Sequence, residues 1–209
     1  MQLIELLELC LDQDKFQFLP QLGPVCLAAA RATADSNPEM KQKAALFASA
    51  LATALPDKCG AFMKLTVEGL TANLGHQHSK VRKVSLSGLQ DVVICKNAEA
   101  FLADSIKALR QTMNDRSSDV RTRFYSVVRH WMTKMEVKSL RSFEHHFILF
   151  LLNGIADDNQ DISSSSIEFL EAHGKRMKEV LRVLEEDEFK PTTSSLDPRP
   201  DEDVEMQSQ

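Results

Sequence analysis

Apolar residues recur along this chain at helical spacing, in blocks separated by short polar turns. Val120, Phe124, Val127, Val128, Trp131 and Met135 share one stripe of a helix. Leu102, Ile106, Leu109 and Met113, at offsets of 4, 7 and 11 residues, make another just before it. Phe62, Leu65, Gly69, Leu70 and Leu74 make a third. Helix breakers stand where turns are needed: Pro38, Pro56, Gly75 and the Asn114-Asp115 pair. Pro20 and Pro24 predict that the helix they occupy is short or kinked. Only 7 glycines are present, too few for the many tight hairpins of a β-sandwich. The pattern predicts an all-α protein.

The blocks repeat. Four times an apolar helix is followed by a polar turn and a second helix that opens with an aliphatic residue and usually a base. The openings are Met40-Lys41, Val81-Arg82, Val120-Arg121 and Ile162-Ser163, spaced by 41, 39 and 42 residues. Six residues before the base position stand Asp35, His76, Asp115 and Asp157. A period of this length with two helices per unit predicts a HEAT-type α-solenoid, a right-handed superhelix of helical hairpins. The hairpins are placed at about 16–57, 58–97, 98–138 and 139–184, and residues 1–15 read as the last helix of an incomplete repeat. A single hairpin cannot bury its apolar face alone, so neighbours must stack. Asp35, Asp115 and Asp157 with Lys41, Arg82 and Arg121 are expected to form a ladder of charges linking adjacent turns. As near-surface pairs these would contribute about 0–1 kcal/mol each and mainly set register. The ladder is imperfect, with His76 in place of an acid and Ser163 in place of a base.

Charge separates one end from the rest. Of the formal net charge of −5, residues 185–209 carry −7, nine acids against Lys190 and Arg199, which leaves +2 on residues 1–184. The repeat region therefore makes no electrostatic case for nucleic acid. The acidic stretch is rich in Pro, Ser and Thr and poor in apolar residues, so it is expected to be disordered. Cys10, Cys26, Cys59 and Cys95 contain no CxxC pair and read as small buried hydrophobes in a reducing compartment. The first residues carry acids where a signal peptide carries bases, and the longest apolar run, Phe147 to Leu152, is too short to span a bilayer. A cytoplasmic protein is expected, with no membrane and no nucleic-acid partner.

Catalytic motifs are missing: no GxGxxG, GxxxxGK[ST], HExxH or GxSxG occurs. His76-x-His78 and His145-His146 lack further ligands at zinc spacing, so neither a metal nor a cofactor is expected; His145 and His146 read as a cap region or surface. The Ser163–Ser166 run offers hydroxyls for phosphorylation, or simply opens a helix with small side chains. A binding face is sketched by second-helix positions expected to face solvent: Lys80, Lys83, Ser87 and Gln90 in one repeat, Asp119, Thr122, Ser126 and Arg129 in the next. Such stripes line the concave surface of HEAT solenoids, where partners bind. This one is mixed in charge and lacks the aromatics of a nucleic-acid platform.

Two words carry more than the repeat does. Leu74-Gly75-His76-Gln77-His78-Ser79-Lys80-Val81-Arg82 joins one repeat's helices, and Ser126-Val127-Val128-Arg129-His130-Trp131 lies in the following second helix. In order and spacing both resemble the dynein axonemal assembly factor 5 family of HEAT-repeat proteins, over roughly residues 60–190. The resemblance implies a non-catalytic scaffold that helps preassemble axonemal dynein arms in the cytoplasm. Its implied partners are dynein heavy or intermediate chains and chaperone-associated assembly factors. Members of that family are several times longer, so the chain corresponds to part of their repeat array. The repeat alone is equally that of a generic adaptor of the transport-receptor or phosphatase-scaffold kind.

Overall fold

The computed structural model describes residues 2–188. Among them every regular element is helical. In chain order these are α1 (Gln2–Gln13), a 3₁₀ turn (Lys15–Gln21), α2 (Leu22–Thr33), α3 (Pro38–Ala54), α4 (Pro56–Cys59), a 3₁₀ turn (Gly60–Phe62), α5 (Lys64–Ala72), a 3₁₀ turn (Asn73–Gly75), α6 (Ser79–Val93), a 3₁₀ turn (Glu99–Ser105), α7 (Ile106–Thr112), α8 (Ser118–Lys134), α9 (Val137–Ile155) and α10 (Gln160–Glu188). Two compact units divide the chain, residues 1–171 and 172–209. In the second, the described part is the end of α10, where Arg182 pairs with Glu179 one turn before it. The disorder expected for residues 185–209 concerns a stretch that, from 189 on, lies outside the described residues. Residues 185–188 continue α10 to Glu188, past the expected end at 184. Glutamate is a good helix former, so an acidic run can extend a helix already under way.

Within the first unit the molecule is an α-solenoid of two layers. The long second helices α3, α6 and α8 pack in sequence as one layer. The first helices α2, α5 and α7, broken up by 3₁₀ turns, form the other, and α9 packs on α8. Local sequence explains where elements start. Pro38 at the first helical position and the Asn37 side chain, which accepts from the Glu39 N–H at 2.8 Å, open α3. Pro20 sits inside the first 3₁₀ turn, so α2 begins only after it.

The core runs through the stack and changes character along it. Ala29, Ala44, Ala45, Ala48 and Ala52 stand among Phe47, Leu51, Leu86 and Leu89 between α2, α3 and α6, whereas Phe124, Tyr125, Trp131, Phe147 and Phe150 fill the space between α8 and α9. Phe124 meets Phe150 edge-on at 5.4 Å between ring centres. The α8 stripe read from the sequence is buried throughout, from Val120 to Met135.

The stripe ahead of α6 is different. Phe62 and Leu65 are each 50% exposed, and the buried set is Met63, Val67, Leu70 and Leu74. The Gly60–Phe62 3₁₀ turn has three residues per turn, which rotates α5 relative to the position it would take in one continuous helix. Two glycines let elements approach closely here. A Cβ on Gly60 would stand 2.0 Å from the Lys96 carbonyl oxygen, and one on Gly69 2.0 Å from Thr33 Oγ1. The turn that brings Lys96 back is made by Asn97 in the left-handed region, at φ 69°.

Candidate functional site

Four turns, each leading into a second helix, share one local construction. Asp35 accepts from the Asn37 N–H at 2.7 Å, Asp115 from Ser117 at 2.8 Å and Asp157 from Asn159 at 2.9 Å. His76 does the same through Nδ1, accepting from the His78 N–H at 3.1 Å. The side chain at the base position then reaches back to a carbonyl of its own turn. Arg82 donates to His76 O at 2.8 Å, Arg121 to Asp115 O at 2.8 Å, Lys41 to Thr33 O at 3.2 Å and the Ser163 hydroxyl to Ile155 O at 2.7 Å. This is why the two positions keep a fixed separation.

Adjacent turns are linked by the same groups. Arg82 forks onto Asp115 at 2.6 and 2.7 Å, and Arg121 onto Asp157 at 2.8 and 3.0 Å with a further contact to Asp158. Lys41 has no carboxylate across the junction; its ammonium donates to Asn73 Oδ1 at 2.9 Å. Asp35 forms no ion pair with Lys41. The paired side chains are not near the surface as expected: exposures are 6% and 8% for Arg82 and Asp115, 13% and 5% for Arg121 and Asp157. The turns of successive repeats pack on one another and close over the pairs. Burial raises the Asp115 and Asp157 carboxyls, but the Arg hydrogen bonds and backbone N–H groups outweigh it, holding both below the usual aspartate range. Planar guanidinium forks in such a place fix geometry as well as charge.

The second-helix surface is partly as the sequence suggests. Lys80, Lys83 and Thr122 are exposed, and Lys83 reaches Asp119 at 3.3 Å. Gln90 and Arg129 are not free solvent-facing groups; both are half-buried. The Gln90 amide donates to Asp91 at 3.0 Å while its backbone carbonyl accepts from Trp131 Nε1 at 3.1 Å. Arg129 donates to the Ser165 hydroxyl at 3.0 Å.

Two residues of this surface escaped the sequence reading. Arg123 and His130 lie two turns apart on α8, half-buried, with Arg123 Nε and His130 Nε2 lacking any hydrogen-bond partner. Burial lowers the affinity of Arg123, Arg129 and His130 for their protons; for Arg123 the nearby Asp91 opposes the effect. The spacing 123, 126, 130 was legible as one face of a helix. That the face is sunken was not.

All four cysteines are free; Cys26, Cys59 and Cys95 are buried, and Cys10 is partly so. The Cys59 and Cys95 sulfurs lie 3.6 Å apart, and burial pushes the Cys26 thiol up to about 12. The hydrogen bond from Cys95 holds the Cys59 thiol below its usual range. His145 and His146 are not at a helix cap: they sit in the middle of α9, which starts at Val137, with His145 exposed on the surface and His146 half-buried. His76 and His78 rings stand 5.3 Å apart. Among the described residues no group of three or more His, Cys, Asp or Glu is arranged to hold a metal ion, and no helix is long and apolar enough to cross a membrane.

Comparison with known proteins adds relatives to this geometry. The family model described as "Dynein axonemal assembly factor 5-like, TPR repeats" matches residues 1–190. The curated protein dynein axonemal assembly factor 5 of Xenopus laevis is 27% identical over 174 residues, which is 83% of this chain and 20% of that protein. The chain thus spans about one fifth of the length of that relative. Among solved structures, a crystal structure of an engineered protein aligns with TM-score 0.54 at 15% identity, over 69% of this chain and 60% of its own. A designed armadillo repeat protein aligns with TM-score 0.52 at 13% identity, over 69% of this chain and 62% of its own. At that identity the likeness is one of fold. The helix-pair spacing of 39 to 42 residues is that of HEAT or armadillo units, longer than the about 34 of a tetratricopeptide unit.

Proposed function

The chain belongs to the dynein axonemal assembly factor 5-like family, and from that premise we propose that it is a non-catalytic repeat scaffold assisting cytoplasmic preassembly of axonemal dynein arms. The single observation that carries this is the family match, which runs through all four helix pairs and not through one motif. The architecture suits the role. Buried Arg–Asp forks and a continuous core hold the second helices in fixed register, giving a rigid polar surface several helices wide. Solenoids of this kind work by presenting such a surface. The partners on this reading are dynein heavy or intermediate chains and chaperone-associated assembly factors, met on the layer of α3, α6 and α8 through Lys80, Lys83, Gln90, Thr122 and Arg129.

The test is capture of tagged protein from the soluble cytoplasm of cells building cilia, with mass spectrometry of what is retained. Enrichment of axonemal dynein chains together with assembly chaperones supports the proposal. Enrichment of an unrelated cytosolic complex, equally strong from cells without cilia, replaces it with a general adaptor.

A further inference from the structure

The second helix pair begins and ends at one place. There the Lys96 N–H donates to Pro56 O at 3.2 Å, and Gly60 lacks a Cβ where Lys96 O and Cys95 Cβ come close. These backbone contacts set Cys59, at the end of α4, against Cys95, just past the end of α6, with the two sulfurs 3.6 Å apart. The thiols are 0% and 1% exposed. Cys95 Sγ also lies 3.5 Å from Asp91 O and 3.7 Å from Ala52 O, so its position is fixed from three sides. The pair is enclosed but not sealed. A cleft of about 160 Å³ opens on the Cys95 side, lined by Pro56, Cys95, Asn97, Met135 and Ser139 among others. It has room for a molecule little larger than water.

Bridging two cysteines requires backbones already close and sulfurs that can meet. Here the backbones touch, and the sulfurs need to close only about 1.5 Å by side-chain rotation. We propose that Cys59 and Cys95 are an oxidation site, which a small hydroperoxide converts to a disulfide that locks the second helix pair. The chemistry goes beyond the scaffold reading and does not depend on it. Cys59, held below the usual thiol range by its hydrogen bond with Cys95, starts as the thiolate and serves as the base. It takes the Cys95 proton as Cys95 Sγ attacks the peroxide oxygen; the O–O bond breaks, hydroxide leaves and a sulfenic acid forms on Cys95. Cys59 Sγ then attacks Cys95 Sγ, the S–S bond forms, the S–O bond breaks, and the departing oxygen leaves with the Cys59 proton as water. With the proton first lost from Cys59, two thiols and one hydroperoxide give one disulfide, one water and the reduced hydroxyl product, itself water when the oxidant is hydrogen peroxide. The new bond spans 36 residues and encloses α5 and α6. It restricts the unfolded chain and ties the end of α6 to the turn that enters its partner helix.

The experiment treats the full chain with excess hydrogen peroxide, alkylates the remaining free thiols and maps tryptic peptides without reduction. Cleavage at lysine places Cys59 in residues 59–64 and Cys95 in residues 84–96. The expected product is these two peptides joined, with the mass of both less their thiol hydrogens, and separated again by dithiothreitol. Cys10 and Cys26 are expected to be alkylated as in the untreated protein. The melting temperature of the oxidised chain is expected to rise by about 5–10 °C and to return on reduction. Cys95→Ser is expected to show neither the joined peptides nor the rise. The mapping uses the unaltered chain, so its result does not depend on that variant folding. All four cysteines alkylated as before treatment, a cross-link through Cys10 or Cys26, or oxygen added to Cys59 or Cys95 with no cross-link overturns the proposal. A Cys59–Cys95 cross-link that leaves the melting temperature unchanged overturns the locking of the helix pair.

Discussion

The junction around Lys41 and the junctions around Arg82 and Arg121 occupy equivalent places and are built from different parts. At the first, an ammonium meets the neutral Asn73 and the helices close over alanines; Gly88, whose added Cβ would lie 3.0 Å from Ala45 O, lets α6 sit against α3. At the later ones, guanidinium forks grip buried aspartates, and between α8 and α9 the space is filled by Phe124, Tyr125, Phe147 and Phe150. The first junction is held by closeness and the later ones by large side chains and paired charge. The two designs reach the same spacing of repeats and should fail in different ways.

Val120→Asp should separate them most sharply. Val120 is fully buried between α6 and α8, so the substitution places an unpaired charge in the core, and loss of the cooperative thermal transition is expected. A variant that melted like the parent would show that the third repeat contributes nothing to the stack. Next in size, Phe124→Ala should cost about 3–5 kcal/mol by leaving a cavity among aromatics, whereas Ala45→Leu should cost about 1–3 kcal/mol by overpacking the close junction. Denaturant midpoints measure both, and a reversed order would refute the contrast.

Asp115→Asn leaves Arg82 buried without its counter-ion and should cost about 3 kcal/mol, while Lys41→Met removes one hydrogen bond to a neutral amide and should cost about 1 kcal/mol. Chemical denaturation of the two variants side by side checks that difference. Smallest is the acid dependence. Asp115 and Asp157 are held below their usual range, so the folded state binds fewer protons than the unfolded chain. Their contribution is complete above about pH 4 and is lost as pH falls through the lower folded values. The parent's melting temperature should therefore fall on acidification below about pH 4, and that of an Asp115→Asn, Asp157→Asn double variant should fall less over the same interval.

Much of this was legible before any coordinates. The spacing of Lys41, Arg82, Arg121 and Ser163 and the residue six positions earlier revealed the repeat, because a helix pair of constant length must return each turn to the same place. The α8 stripe was legible because an uninterrupted helix carries its period faithfully from Val120 to Met135. In the stripe from Phe62 to Leu74, Leu70 and Leu74 are buried as expected; Phe62 falls in the 3₁₀ turn before α5, and Leu65, five residues from Leu70 on the same helix, faces outward.

Periodicity and turn chemistry, both local, thus determined that the chain is helical, where its hairpins bend and which residues could pair. Burial is a property of what packs on a residue from elsewhere in the chain. Only the tertiary structure decided that the Arg–Asp pairs are enclosed, that Lys41 finds Asn73 and not an acid, and that Arg123 and Arg129 sink half-buried into the second-helix layer. Those outcomes depend on side chains tens of residues away, whose approach is set by the volume of the core between them.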